Sequence, residues 1–115
     1  MFFFFKKSAK LVQKTMSNKF YRVYTQEDVI GVEIAGALKN VFAIGAGIVE
    51  GYGYGYNTKT AIISRGTREI QTFVLHYGGK IQTLFGLAGI GDLMLTSFGE
   101  CSRNRTCGFK LAQGF

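Results

Sequence analysis

The chain has 115 residues, with 14 Lys plus Arg against 7 Asp plus Glu and a formal net charge of +7; this length suits one modest domain, and 11 Phe with 6 Tyr are enough to build a core. The basic balance favours acidic partners such as phosphorylated metabolites, nucleic acid or an anionic membrane, without choosing among them. Two cysteines and one histidine exclude a four-ligand Cys/His zinc centre within one chain, and two reduced thiols in an intracellular protein is the simpler reading.

The start, Met1 to Lys7, has an apolar run too short for a secretory h-region and its charges in the wrong order, so no export signal is read there. Ser8 to Asn18 carries Leu11, Val12 and Met16 at helical spacing, which predicts a short amphipathic helix. Phe20 to Thr25 alternates aromatic or branched residues with polar ones, the pattern of a short strand. From Gln26 onward the signals are helical. Asp28 is placed to cap a long central helix in which Gly31, Ala35, Gly36 and Ala37 allow close approach of a neighbour, while Gly45, Gly47 and Gly51 weaken its far end. This segment is long enough to span a bilayer, but Glu33, Lys39 and Asn40 lie inside it, and a central Lys costs about 2.5–3.5 kcal/mol on insertion, which argues against a membrane span.

The Gly-Tyr run from Gly51 to Tyr56 follows a helix, which excludes a dinucleotide loop, and is too short for a low-complexity RNA-binding tract; it predicts an interhelical turn with packing tyrosines. Asn57 is placed to cap the next helix, whose apolar face is Ile62, Gly66, Ile70, Phe73, Val74 and Tyr77 before Gly78 and Gly79 stop it. A shorter helical stretch includes Leu84 and Phe85; Asp92 caps or opens a further helix through Thr96, and Ser102 caps another through Phe109 and Leu111.

Lys39 and Asn40 interrupt the most hydrophobic stretch of the chain. An ammonium stripped of water gives up its proton more readily, as a general acid/base must, whereas the bland alternative lays the lysine stem along apolar surface with its tip in water. Asp92 and Thr96, four residues apart, share a helix face and could hold a polyol; equally, Asp92 could cap and Thr96 bond its own backbone. Ser102, Arg103 and Asn104 at a helix start offer free N–H groups, a positive dipole end, a guanidinium and an amide, an arrangement suited to phosphate.

In this order, Val29 to Asn40, Gly86 to Leu93, Thr96 and Ser102 to Arg105 resemble the helical C-terminal domain of NAD(P)-dependent glycerol-3-phosphate dehydrogenases. The resemblance runs from about Phe20 to Phe115, and Ser8 to Thr25 is similar to the last helix and strand of that family's nucleotide domain. It implies a mainly α fold of the 6-phosphogluconate-dehydrogenase-like type preceded by a remnant helix and strand of a Rossmann domain, with residues 1–25 the remnant and 26–115 a substrate-binding domain truncated at its C-terminus. It also implies Lys39 as the proton acceptor in glycerol 3-phosphate oxidation, and Asn40, Asp92 and Thr96 as substrate-binding residues. Ser102, Arg103 and Asn104 match the motif that holds the substrate phosphate, with Arg103 also reaching the cofactor, NAD or NADP. The other substrate is dihydroxyacetone phosphate; no nucleic acid partner is implied, a homodimer stays open, and the location is cytoplasmic or within an organelle. The family's Gly-rich strand–turn–helix and its second lysine have no counterpart before Ser8, so the chain reads as an excerpt. A non-catalytic helical module that pairs with a full-length homologue is the alternative.

Overall fold

The computed structural model describes residues 2–115, with side chains from residue 6 onward; the side chains of the Phe-rich start, on which the reading of no export signal falls, lie outside the described residues. Among the described residues the chain is helical. α1 spans Phe2–Met16, α2 Val29–Gly51, α3 Tyr56–His76, α4 Ile81–Leu84, α5 Asp92–Phe98 and α6 Arg103–Ala112, and a π-helical turn over Leu87–Gly91 runs directly into α5.

α2 is the central element, with α3, α5 and α6 against it. Its first turn is capped as expected, since the Asp28 carboxylate accepts from the Gly31 N–H at 2.9 Å. The same carboxylate, only 6 % exposed, accepts from the Lys80 N–H at 2.7 Å and the Thr83 hydroxyl at 2.6 Å, so one side chain closes α2 and fastens α4 to it. The core is Ala35, Ala46, Ile63, Ile70, Val74, Leu84 and Leu93, with Ile34, Leu38, Phe42 and Phe98 packed around it.

Of the three glycines at the far end of α2, Gly47 and Gly51 have a role other than the weakening expected of them, since they admit α6, while Gly45 does not. A Cβ at Gly47 would meet the Arg105 carbonyl oxygen at 1.9 Å, and one at Gly108 would meet the Ile44 carbonyl oxygen at 2.0 Å. α2 and α6 therefore touch backbone to backbone, and the helix runs on through these glycines because tertiary packing outweighs their propensity. Near the start of α2, Gly31 and Ala35 are buried as expected, but a Cβ at Gly36 would meet nothing within 4 Å and Ala37 is exposed.

Several other local expectations are corrected. Phe20 to Thr25 forms no strand, because a strand needs a neighbour to satisfy its ladder and no strand occurs among the described residues. α1 begins at Phe2, six residues before the expected start, and its apolar stripe of Leu11, Val12 and Met16 is exposed and outside the core. α3 is preceded by Gly55 and not capped by Asn57, which lies within its first turn. Its buried face is Lys59, Ile63, Gly66, Ile70 and Val74, so Ile63 and not Ile62 points inward, while Phe73 and Tyr77 are exposed. Tyr52, Tyr54 and Tyr56 are also exposed and do not pack the turn, which depends on Gly53 at φ +77°.

Candidate functional site

The π turn and the short α5 place Asp92 opposite the middle of α2. There its carboxylate Oδ2 accepts from Lys39 Nζ, pairing two residues 53 positions apart. The Lys39 side chain keeps about a fifth of its surface exposed, so it is a half-buried ammonium facing a carboxylate and not an isolated charge in an apolar stretch. That carboxylate is the reason a lysine is tolerated here. Asp92 opens α5 and does not cap it, since no side-chain cap bond exists at that helix start; its side chain faces Lys39 instead. The Thr96 hydroxyl donates to the Asp92 carbonyl at 2.6 Å and lies 3.3 Å from Asp92 Oδ1. Thr96 thus bonds its own helix, as the simpler reading expects, and also touches the Asp92 carboxylate, while Asp92 is not the cap that reading made it.

Next to Lys39, the Asn40 amide donates to the Gly36 carbonyl at 3.3 Å and accepts from the Asn104 amide at 2.7 Å. This second bond brings α6 to the same part of α2. Ser102 caps α6 as expected, its hydroxyl accepting from the Arg105 N–H at 3.2 Å. The Arg103 side chain is exposed and makes no hydrogen bond or ion pair with any described residue. Lys39, Asn40, Asp92, Thr96 and Asn104 are therefore joined by direct contacts or adjacency, Ser102 sits at the adjoining helix start, and Arg103 projects from it without a partner. The arrangement sets a lysine beside a carboxylate and a hydroxyl at one end, and an unpaired guanidinium on a positive helix terminus at the other.

Sequence reasoning missed the charged group behind α6. Arg105 donates through Nη1 to Glu50 Oε1 at 2.6 Å and through Nε to the Gly99 carbonyl at 3.0 Å, and Lys59 Nζ meets Glu50 Oε2 at 2.7 Å. The Arg105 and Lys59 hydrogen bonds, followed by their charges, hold the Glu50 carboxyl below its ordinary value of 4.5 against the opposing effect of burial. The available signal was Lys59 falling on the apolar register of α3, four residues before Ile63.

A sequence model of the NAD-dependent glycerol-3-phosphate dehydrogenase C-terminus matches residues 28–115. The chain is similar to a glycerol-3-phosphate dehydrogenase [NAD(P)+] of Agathobacter rectalis, 50 % identical over 109 residues that cover 95 % of this chain and 32 % of the relative. It is also similar to one of Geobacter sulfurreducens, 53 % identical over 106 residues that cover 92 % of this chain and 32 % of the relative. The crystal structure of glycerol-3-phosphate dehydrogenase from Coxiella burnetii superposes with a TM-score of 0.93 at 42 % identity, over 96 % of this chain and 34 % of that one. The chain spans about a third of the length of the curated relatives it matches. With a matched model over most of its length and a helical fold shared at this identity, the chain belongs to the NAD-dependent glycerol-3-phosphate dehydrogenase family, as its C-terminal helical domain.

Proposed function

We propose that this chain supplies the substrate half of an oxidoreductase that transfers a hydride between NAD(P) and the pair glycerol 3-phosphate and dihydroxyacetone phosphate. The observation that carries this reading is the meeting of Lys39 with Asp92 and Thr96 across α2 and α5, with the Asn40–Asn104 bond bringing the start of α6 alongside. Lys39 as the neutral amine takes the C2 hydroxyl proton during oxidation, becoming the ammonium that pairs with Asp92, and the ammonium returns that proton during ketone reduction. Asn40, Asp92 and Thr96 hold the polyol, and Ser102, Arg103 and Asn104 hold the phosphate on the N-terminal dipole of α6.

The cofactor, when bound, supplies the hydride acceptor or donor. The exposed, unpaired Arg103 guanidinium fits a contact to an anionic cofactor group, but no strand occurs among the described residues and so no Gly-rich βα turn for the pyrophosphate. The cofactor is thus assigned one contact here, and residues 1–25 are read as belonging with a nucleotide-binding domain. α2 has the length and composition of a membrane span; we read it as a core helix, since it carries Glu33, Lys39, Asn40 and Glu50 and packs on α3, α5 and α6. A cytoplasmic setting accords with the unbridged Cys101 and Cys107.

In a two-domain enzyme carrying this domain, Arg103→Lys keeps the charge but loses the fork, and is expected to raise KM for glycerol 3-phosphate by tenfold or more, on the order of one charge-assisted hydrogen bond, while hardly affecting any turnover of glycerol. Equal losses for both substrates would move Arg103 from the phosphate to the cofactor or the fold. The exposed Val29, Val41, Leu87 and Leu95 favour a second reading, in which the chain pairs with itself or a full-length homologue without catalysing. Mixing the two and measuring turnover and molar mass separates these readings.

A further inference from the structure

We propose that Glu50, Lys59 and Arg105 form a positioning network that fixes the start of α6, and with it the phosphate end of the site; the proposal rests on the assignment of Ser102, Arg103 and Asn104 to phosphate made above. Arg105 follows Arg103 by two residues, about 200° around a helix, so the two guanidinium groups cannot serve the same anion. Arg105 turns instead to the body of the protein. It donates to Glu50 at 2.6 Å and to the Gly99 carbonyl at 3.0 Å, with a longer contact to the Glu100 carbonyl at 3.4 Å.

The loop it grips joins α5, which carries Asp92 and Thr96, to α6, which opens with Arg103 and Asn104. Glu50 is held from its other side by Lys59, which is 5 % exposed and lies over the Phe98 ring at 4.9 Å. One carboxylate therefore ties together the end of α2, the start of α3 and the α5–α6 loop. At Gly47, where no Cβ intervenes, the Arg105 carbonyl lies close against the α2 backbone one turn before Glu50. A concavity of about 410 Å³ beside the network is lined by Glu50, Tyr54, Lys59, Phe98 and Arg105, but these charges already bond one another, which favours a scaffold over a ligand site. Spacing between the polyol end and the phosphate end is what such a clamp controls, and small displacements there weaken binding strongly.

The test uses the full 115-residue chain, titrated with inorganic phosphate and with glycerol 3-phosphate while the amide signals of Ser102, Arg103 and Asn104 are followed by NMR. The unsubstituted chain is expected to bind both. Arg105→Lys retains the charge and loses the fork, and is expected to weaken both ligands by about tenfold, the scale of one charge-assisted hydrogen bond. Amide exchange should quicken across residues 99–104 and stay unchanged at Ile63, Ile70 and Val74. Glu50→Gln keeps hydrogen-bonding atoms in place and is read in the same way should Arg105→Lys not fold. If the unsubstituted chain binds and the variants bind within twofold of it, the network is structural only and the inference is overturned. If the unsubstituted chain binds neither ligand, the phosphate assignment falls, and the inference with it.

Discussion

Lys39 is the residue on which the proposed chemistry turns. Its ammonium meets Asp92, so substitution by Met removes the proposed proton carrier and leaves a carboxylate without its partner. In a two-domain enzyme carrying this domain we predict that Lys39→Met lowers kcat by about 10²- to 10⁴-fold, the usual cost of losing a general acid/base, with a much smaller change in substrate binding. Steady-state kinetics with glycerol 3-phosphate check this, and an unchanged kcat removes Lys39 from the mechanism. Ser97, on the buried side of α5, gives a prediction of opposite sign. Its hydroxyl is fully buried and has no hydrogen-bond partner among the described residues. An unmet buried polar group costs about 1–3 kcal/mol, so Ser97→Ala is expected to raise the thermal midpoint; a fall would mean the hydroxyl has a partner in solution.

At the scale of elements, the α2–α6 contact distinguishes glycines that look alike in sequence. We predict that Gly47→Ala destabilises the chain by about 1–3 kcal/mol or more, since the added methyl would overlap the α6 backbone and one helix must move. Gly45→Ala, whose added methyl would meet nothing within 4 Å beyond its own helix turn, should instead stabilise it by about 0.5–1 kcal/mol through helix propensity. Denaturant midpoints for the two variants check the pair, and equal shifts would contradict the close crossing. Asp28 gives a matching case at the other end of α2. Burial alone would raise its carboxyl, but bonds from Thr83, Gly31 and Lys80 outweigh it and hold the group below its ordinary value of 3.8.

For the whole molecule, the depressed carboxyls of Asp28 and Glu50 set the sense of the acid response. Each binds its proton less readily in the folded chain than in the unfolded one, so its stabilisation is present above the ordinary values of 3.8 and 4.5 and is lost as pH falls below them. Thermal midpoints should fall on acidification from pH 5 to pH 3; a midpoint unchanged over that span would show that neither group is anchored as described. The same chain exposes Val29, Val41, Leu75, Phe85, Leu87 and Leu95 on its helical body. Apolar surface of this kind is normally covered. The 115-residue chain is expected to self-associate and to show no substrate-dependent NADH or NADPH formation, because hydride transfer needs a nicotinamide held at near-attack distance. A stable monomer in light scattering with measurable turnover would contradict both expectations.

Helical periodicity, the Asp28 and Ser102 caps and the Gly78–Gly79 stop were legible because they are local: each depends on residues within one or two turns. The family resemblance was legible for a related reason, since Lys39–Asn40, Asp92–Thr96 and Ser102–Asn104 are short blocks whose order survives without coordinates. What joined those blocks was not local. The pairing of Lys39 with Asp92, the bond between Asn40 and Asn104, and the use of Glu50 as a common anchor for Lys59 and Arg105 all cross 9 to 64 positions. Alternation at Phe20 to Thr25 was a true pattern without a partner strand, and Gly47 and Gly51 of α2 were helix-weakening by propensity but contact-forming by placement. Propensity and spacing are properties of a segment; which face finds a partner, and which charge finds its counter-charge, is decided only when the segments pack.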